Sequence, residues 1–392
     1  MLHGEKNPST LTLYKIMFNT TNELNKIFKS TYFDLSLFRP ISSAGVVLYG
    51  AGKMGSMALD LMNTVHVKPK YIVDKNYDGE LGGVKVIKPD KLPELDLIEA
   101  TFVICIATIP VEPIFHYLKK LGCKDVRHFY DYSEITFPNV MPNGWFITEL
   151  TDKDKAGIEK TCSALAHDDK SLAHYLQFLW WRLKRKEVLY DGYPVLSGSK
   201  YFKSPAMPKL TNHECLLDGG AYSGKTIKDF IAEVDGRFDG IWAFEPDKHN
   251  MDMIKKSIGI GAEIYPRPEA LAEKCKTASF QDGLGYASKL NNNGEHQVTA
   301  ITIDSLPEIN PTIIKLHIEG NELNALKGAR KTIQKHHPII MVMADHSSDG
   351  LYKIPEFLDQ FGVYKLYFNL HDYTGNSAVY YAIPVERLSR RK

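Results

Sequence analysis

Two acidic residues, each at the end of a predicted strand, have the types and spacing needed to bind a small polar ligand. Asp218 is followed by the glycine-rich turn 219–224, and Glu245 ends the next predicted strand. Asp218 is placed to accept a hydrogen bond from an ammonium group, directly or through water, and the first two glycines of the turn let a ligand lie against the backbone. Glu245 is placed to accept hydrogen bonds from both hydroxyls of a ribose.

A second set of polar residues follows later strands and has the chemistry of proton transfer. His317, Glu319 and His346 are the candidate catalytic groups. Residues two apart on a strand share a face, so His317 and Glu319 are expected to point into one pocket. A histidine titrates near neutrality, which suits removal of a proton from a hydroxyl. The alternative for each histidine is a structural one, and the spacing matches no metal-ligand signature, so no metal site is predicted.

The N-terminal half has its own glycine-rich turn after a predicted strand. Gly50, Gly52 and Gly55 open a predicted helix, and Asp74 ends the following strand, where a ribose-binding acid lies in dinucleotide-binding domains. This order indicates a Rossmann-like fold and a nucleotide ligand such as NAD. The N-terminal half also resembles a nucleotide-sugar-type Rossmann module, and that resemblance implies a nucleotide-sugar as a further candidate ligand. Plain packing of helix against strand explains the same glycines, and no dehydrogenase-like catalytic set follows them.

Two α/β domains are predicted to position these residues, because strands and helices alternate twice along the chain. We expect an N-terminal helical segment at 1–40 with a helix from Leu11 to Phe28, a Rossmann-like domain at 41–135, a helical connector at 136–212 and a second α/β domain at 213–392. The predicted fold is therefore two Rossmann-like three-layer domains joined by a helical connector. In the last domain the strands are expected at 215–217, 240–244, 263–265, 298–303, 313–317 and 339–343, with an antiparallel pair at 363–369 and 379–383. Helices are expected there at 226–234, 249–257 and 322–336.

Composition narrows the classes of protein to which the chain can belong. Lysine and arginine together number 48 against 47 acidic residues, so charge gives no reason to expect binding of nucleic acid or of an anionic membrane. Five scattered cysteines favour reduced thiols over a disulfide framework or structural zinc. With no secretory signal or membrane span recognised, we expect a cytoplasmic protein, and a homo-oligomer is compatible with the sequence.

The C-terminal domain resembles the FkbM family of S-adenosylmethionine-dependent methyltransferases. The resemblance covers roughly residues 214–384, and its motifs follow one another in the family's order. They are Asp218-Gly-Gly-Ala-Tyr-Ser-Gly224, Ala243-Phe-Glu-Pro246, Thr302-Ile-Asp-Ser-Leu306, Ile314-Lys-Leu-His-Ile-Glu-Gly320 and Glu322-Leu-Asn-Ala-Leu-Lys-Gly-Ala329. It implies a class I methyltransferase fold, S-adenosylmethionine as cofactor, and methyl transfer to oxygen on a sugar, glycan or related small molecule.

The resemblance also implies roles for individual residues. Cofactor contacts carry over to Asp218, Gly219, Gly220, Ala221, Glu245 and Pro246, and the stretch Glu269-Ala270-Leu271 falls where the edge of the adenine ring lies. One departure concerns the fourth-strand motif, in which His317 stands where the family has aspartate. Three interpretations remain open: His317 acts as the base, the acceptor differs from the family's, or the domain binds cofactor without catalysis as a sensor or scaffold. An oxidoreductase or epimerase run by the N-terminal domain is a further alternative, although the chain lacks a Tyr-x-x-x-Lys pair.

Overall fold

The structure is a computed structural model of the 392-residue chain. It describes residues 19–32, 45–137, 142–258, 263–281, 288–290, 294 and 296–390. The chain divides into two compact units. The first unit comprises residues 1–149, 176–195 and 372–376, and the second comprises residues 150–175, 196–371 and 377–392.

The first unit contains a six-stranded sheet in the order β3-β4-β2-β1-β5-β6. All neighbouring strands are parallel except β3 and β4, which form an antiparallel pair. Fully buried runs such as Val46–Tyr49 and Thr101–Ile104 form the centre of the sheet, as expected for parallel strands covered on both faces. The strands are β1 Val46–Tyr49, β2 Tyr71–Val73, β3 Gly79–Leu81, β4 Val84–Ile87, β5 Thr101–Ile104 and β6 Asp125–His128, and the helices are α1 Thr20–Lys29, α2 Lys53–Thr64, α3 Glu94–Glu99, α4 Val111–Leu121 and α5 Phe129–Thr136.

Only part of the expected N-terminal helix can be compared with the structure. Residues 20–29 form α1, with Asn19 as its N-cap, and its buried residues include Leu24 and Ile27. The residues from Leu11 to Phe18 lie outside the described part of the chain.

The second unit contains a seven-stranded sheet in the order β16-β17-β15-β14-β7-β8-β9 and a separate four-stranded sheet in the order β10-β13-β11-β12. In the large sheet β7, β8, β9, β14 and β15 are parallel, and β17 runs antiparallel to both β15 and β16. The expected antiparallel pair at the end of the domain is therefore present. The strands are β7 Cys215–Gly219, β8 Gly240–Phe244, β9 Ile264–Arg267, β10 Ala270–Leu271, β11 Lys276–Gln281, β12 Lys289–Leu290, β13 His296–Ile301, β14 Ile313–Leu316, β15 Ile339–Met343, β16 Tyr364–Leu370 and β17 Ala378–Pro384.

The strand predicted at 298–303 is present as β13, which pairs with β10 and β11 in the small sheet. One expectation for this unit was wrong. The single helix predicted at 322–336 is two helices, α10 Glu322–Lys327 and α11 Arg330–His336. The carboxylate of Asp304 accepts hydrogen bonds from the backbone N–H groups of Lys331 and Thr332, so it caps a helix that begins independently.

The stretch predicted as a helical connector at 136–212 is divided between both units. It contains α6 Asp152–Leu165 and α7 Asp169–Lys184, and the second unit takes residues 150–175 while the first takes 176–195. Thr151 and Asp154 form a reciprocal capping box at the start of α6. The remaining helices of the second unit are α8 Lys225–Glu233, α9 Lys248–Ile258 and α12 Asp349–Asp359. Over the described ranges, no helix has both the length and the apolar character to cross a bilayer.

Candidate active site

Asp218 and Glu245 lie at the same edge of the large sheet. Their strands, β7 and β8, are adjacent and parallel, with Asp218 paired to Ala243 in the register. The carboxyl ends of parallel strands meet at one edge, which is where α/β folds bind ligands. Both residues are buried, at 0% and 5% exposure. The structure thus brings together the two acids that the sequence placed in separate motifs.

Asp218 forms a buried ion pair that the sequence analysis missed. Lys315 is its register partner on β14, and the Nζ of Lys315 lies 2.8 Å from Oδ1 of Asp218. The same ammonium donates hydrogen bonds to the carbonyl oxygens of Gly220 at 2.7 Å and Gly219 at 3.2 Å. Lys315 therefore fixes both the acid and the turn that follows it, by two backbone contacts and one charge pair.

The two glycines after Asp218 are required by packing within the sheet. A Cβ on Gly220, whose φ is +74°, would lie 1.9 Å from the carbonyl oxygen of His317. A Cβ on Gly219 would lie 2.9 Å from side-chain carbons of Leu271 and Leu316. We expected these glycines to make room for a ligand, but the neighbouring strands already require both to lack a side chain.

Glu245 holds together the two loops that border this edge. Its Oε2 accepts a hydrogen bond from the N–H of Tyr222 at 2.9 Å, and its Oε1 accepts one from the N–H of Asp247 at 3.1 Å. Burial raises the pKa of the Glu245 carboxyl, and these backbone donors partly offset that rise. Ala221 adds a further tie, because its N–H donates to the carbonyl of Phe244 at 3.1 Å. Pro246, the next residue, is half-buried.

The three residues assigned to the adenine edge, 269–271, make different contacts. Glu269 forms an ion pair with Arg267, with 2.9 Å between Oε1 and Nη2. Ala270 and Leu271 form β10 and are buried. The Leu271 side chain lies close to Gly219, and its carbonyl accepts a hydrogen bond from Asn321 at 2.7 Å. Leu271 is thus the member of this stretch with a direct contact to the glycine-rich turn.

His317, Glu319 and His346 form one cluster at the end of β14. Oε1 of Glu319 lies 3.2 Å from Nε2 of His317 and 3.4 Å from Nε2 of His346, and the two imidazole rings are 5.0 Å apart. We expected His317 and Glu319 to meet because they alternate along a strand, but β14 ends at Leu316 and Glu319 has a φ of +51°. A left-handed turn, which is uncommon for a non-glycine residue, brings them together instead.

The other ring nitrogen of each histidine contacts a residue to which no catalytic role was assigned. Nδ1 of His317 lies 2.8 Å from the hydroxyl of Tyr201, and Nδ1 of His346 lies 2.6 Å from Oε1 of Glu322. Glu322 also accepts hydrogen bonds from the N–H groups of Ile318 and Gly320, both at 2.9 Å. Glu322 therefore fixes the loop that carries Glu319.

Burial and charge shift the titration of this cluster. Burial alone would lower the pKa of His346, but the carboxylates of Glu319 and Glu322 raise it to about 10. Burial raises the pKa of Glu319 to about 7 although His346 opposes the rise. Without any added ion, His346 is therefore a buried cation between carboxylates. The side chain of His317 is 23% exposed while those of Glu319 and His346 are at most 2% exposed, so solvent reaches the cluster at His317.

Packing explains two of the three glycines in the glycine-rich turn of the first unit. Gly50, with φ of +116°, would place a Cβ 2.8 Å from the carbonyl oxygen of Cys105, and Gly55 would place one 2.2 Å from the carbonyl oxygen of Gly50. Nothing lies within 4 Å of a Cβ on Gly52. Asp74 accepts a hydrogen bond from the N–H of Ala51 at 2.8 Å, which ties the end of β2 to the turn.

Comparison with known proteins agrees with this architecture. Residues 218–373 match the family model of the methyltransferase FkbM domain. The crystal structure of a methyltransferase FkbM from Methylobacillus flagellatus KT has the same fold over 86% of this chain and 89% of its own, with a TM-score of 0.59 and 21% identity.

Two further structures show weaker likeness. A precorrin-6y C5,15-methyltransferase from Geobacter metallireducens GS-15 covers 44% of this chain and 80% of its own, at TM-score 0.28 and 14% identity. A pre-rRNA processing fibrillarin from Methanococcus jannaschii covers 46% and 69%, at TM-score 0.31 and 14% identity. A search of curated protein sequences finds no match. The match over residues 218–373 identifies the second unit of this chain as the carrier of a methyltransferase FkbM domain.

Proposed function

We propose that the chain transfers a methyl group from S-adenosylmethionine to a hydroxyl oxygen of a sugar or glycan-related small molecule. The observation that carries this proposal is the adjacency of two features. The His317, Glu319 and His346 cluster touches the glycine-rich turn, because the N–H of His317 donates to the carbonyl of Gly219 at 3.0 Å. The candidate cofactor-binding turn and the candidate proton-transfer residues therefore lie next to each other, at the carboxyl ends of β7 and β14.

The cofactor is proposed to lie over the turn after β7, with its ribose at Glu245. Each oxygen of the Glu245 carboxylate accepts one backbone N–H at 2.9 or 3.1 Å. Oε1 also accepts a hydrogen bond from the side-chain amide of Asn250 at 3.5 Å, whereas Oε2 keeps one of its two lone-pair positions for a ribose hydroxyl. Asp218 is proposed to act on the ammonium of the methionine moiety through its ion-paired carboxylate. Leu271, beside Gly219, is proposed to contact the adenine.

The acceptor is proposed to approach at His317, the exposed member of the cluster. Methyl transfer from a sulfonium is an in-line displacement, so alignment of acceptor oxygen, methyl and sulfur supplies much of the rate. A hydroxyl acceptor must also lose its proton, and a suitable group within hydrogen-bond reach accelerates that step. His317 and Glu319 are placed to meet both needs, with His346 fixing Glu319 from behind.

Calorimetry of S-adenosylmethionine binding tests the cofactor half of the proposal. Glu245→Gln keeps the shape of the side chain and removes its charge. Hydrogen bonds to a charged group contribute about 1.5–3 kcal/mol, so we expect affinity to fall about 10- to 150-fold. The matched control is Glu263→Gln, an exposed carboxyl just before β9, which should bind as the unaltered chain does. Equal affinities in all three proteins contradict the proposed seat.

A transfer assay tests the acceptor half. The chain is incubated with S-adenosylmethionine carrying a trideuterated methyl group and a panel of hydroxyl-bearing sugars, and release of S-adenosylhomocysteine is measured with the mass of the product. We expect labelled product that His317→Ala abolishes. Cofactor binding without turnover on the whole panel would favour the alternative, a non-catalytic sensor or scaffold.

We also propose a nucleotide or nucleotide-sugar ligand, such as NAD, for the first unit. The observation in favour is that Gly52 alone of the three turn glycines faces open space, while Gly50 and Gly55 are fixed by backbone packing. In dinucleotide-binding turns the middle glycine lets the backbone approach the pyrophosphate. Native mass spectrometry of the purified chain should detect the ligand, and Gly52→Leu should remove it. An unliganded first unit that also fails to bind NAD and nucleotide-sugars when they are added refutes this proposal.

A further inference from the structure

The polar cluster at the end of β14 has the donor set of a transition-metal site. Two imidazole nitrogens and one carboxylate oxygen, from His317, His346 and Glu319, lie within 4.8 Å of one another. We propose that these three side chains bind one divalent transition-metal ion of the zinc, manganese or iron(II) type. The proposal deepens the function proposed above, and the role of the ion toward an acceptor rests on that function.

Two of the three distances between the donor atoms match those around such an ion. Ligands at about 2.0–2.1 Å from a metal are about 2.8–3.4 Å apart when neighbouring in octahedral or tetrahedral geometry. Oε1 of Glu319 lies 3.2 Å from Nε2 of His317 and 3.4 Å from Nε2 of His346. Across the described ranges, neither carboxylate oxygen of Glu319 has a hydrogen-bond partner, although the side chain is only 2% exposed. Burying a charged carboxylate without hydrogen-bond partners costs free energy, and a bound cation offsets that cost.

The contacts behind the two histidines are those found in metal sites. Both rings present Nε2 toward Glu319 and use Nδ1 for a second contact, one with the hydroxyl of Tyr201 and one with the carboxylate of Glu322. Histidines that bind metals generally use the other ring nitrogen in this way, with a carboxylate, carbonyl or hydroxyl partner that fixes the ring orientation. The orientation needed to present both Nε2 atoms is therefore built in before any ion binds.

The charges around the cluster also favour a cation. The carboxylates of Glu319, Glu322 and Asp345 all act on His346, and each of these side chains is buried. Lys289 also acts on Glu319, and Lys315 is engaged with Asp218. A divalent ion would supply positive charge where three acids converge.

The chemistry of the three donor atoms indicates which kinds of metal ion the site can bind. Magnesium and calcium prefer oxygen ligands, whereas two imidazoles and one carboxylate suit zinc, manganese and iron(II). Three protein ligands leave a coordination position open, and His317, with 23% exposure, marks the side from which solvent reaches the cluster. An acceptor hydroxyl in that position would lose its proton to solvent more readily, because bonding to a metal lowers the pKa of a hydroxyl. His317 would then act as a metal ligand and not as the base.

Metal titration of the untagged, chelator-treated full chain tests the proposal without any methyl-transfer readout. Calorimetry with Zn²⁺ and visible absorption with Co²⁺ should each show one saturable site. Changing a metal site's supporting residues generally costs about 10- to 100-fold in affinity, so Tyr201→Phe should weaken binding by that factor. The ligand changes His317→Ala and Glu319→Gln should weaken it further. His317→Ala is the safer for folding because that side chain is partly exposed.

The matched control is His213→Ala. Nδ1 of His213 lies 3.2 Å from Oδ1 of Asp239, a similar histidine–carboxylate contact that is 75% and 59% exposed. This variant should keep the site. The proposal is overturned if the unaltered chain binds no Zn²⁺, if binding is unchanged in both His317→Ala and Glu319→Gln, or if His213→Ala weakens binding as much as they do. S-adenosylmethionine binding is measured in parallel: a chain that binds cofactor but no ion refutes the metal site alone, and one that binds the ion but no cofactor refutes the proposed function alone.

Discussion

Breaking the ion pair between Lys315 and Asp218 is the most direct test of what stabilises the candidate cofactor-binding turn. Lys315→Met keeps the length and apolar character of the side chain and removes its ammonium. Asp218 would then be left as an unpaired charge with 0% exposure, and the carbonyls of Gly219 and Gly220 would each lose a donor. Removing one partner of a buried pair generally costs about 3–5 kcal/mol.

Hydrogen exchange followed by mass spectrometry measures this loss of stability in the strands where it occurs. A single global unfolding free energy is poorly defined for a chain with two units, so peptides from β7 and β14 are compared directly. A loss of about 3–5 kcal/mol corresponds to exchange that is about 10²- to 10⁴-fold faster in these strands. The double variant Asp218→Asn, Lys315→Met should recover part of the protection, because it leaves no uncompensated charge.

A pair on the surface supplies the control for this experiment. Lys225 and Asp229 also form an ion pair, but the lysine side chain is 75% exposed. Exposed pairs contribute at most about 1 kcal/mol, so Lys225→Met should change exchange in its own helix by about fivefold or less. Two results would contradict this role of the buried pair. One is that β7 and β14 exchange no faster in Lys315→Met than in Lys225→Met. The other is that they exchange as fast in the double variant as in Lys315→Met.

Three further predictions concern other parts of the chain. Gly220→Ala should lower the unfolding temperature and abolish S-adenosylmethionine binding, since its Cβ would lie 1.9 Å from the His317 carbonyl oxygen. Calorimetry that shows an unchanged unfolding temperature and unchanged binding would contradict this prediction. Glu187 in the first unit has its pKa raised to about 7 by burial. The contribution of its protonated carboxyl to stability is present at low pH and is lost as the pH rises from about 4.5 to about 7. Glu187→Gln should therefore flatten the fall in unfolding midpoint between pH 4 and 7.5, and curves that stay parallel to those of the unaltered chain would refute it. Thr151→Ala removes the capping box with Asp154 and should cost about 1 kcal/mol in the protection of α6 from hydrogen exchange; no change in α6 would show that the cap is dispensable.

The elements predicted most closely were those with an unbroken apolar run. Gly240–Phe244 and Ile339–Met343 have the bounds expected from sequence, because parallel strands covered on both faces are apolar along their whole length. The helix Asp349–Asp359 was not predicted, and it contains Pro355, which usually argues against a helix. The strands of the small sheet are mostly half-buried or exposed, so they carry no comparable hydrophobic signal.

The candidate site was predictable where a motif sits at a strand end and not where it depends on strand order. Asp218, Glu245 and His317 were singled out from their positions in the sequence. Lys315 received no role, because its pairing with Asp218 follows from the adjacency of β7 and β14, which are about 100 residues apart in the chain. Glu319 meets His317 through a positive φ, a backbone state that a sequence pattern does not reveal for a residue other than glycine.

The order in which the chain is synthesised imposes a constraint on this architecture. Strand β17 lies between β15 and β16 in the large sheet, and the short segment just before it, residues 372–376, completes the first unit. Domains generally fold from the N-terminus during translation, but the first unit lacks its last segment until residue 376 has been synthesised, and the large sheet lacks β17 until residue 384. The strands of the six-stranded sheet all precede residue 129, so the large sheet is the one that stays unfinished late in synthesis. We therefore expect chaperone dependence and temperature-sensitive expression from mutations in this late segment.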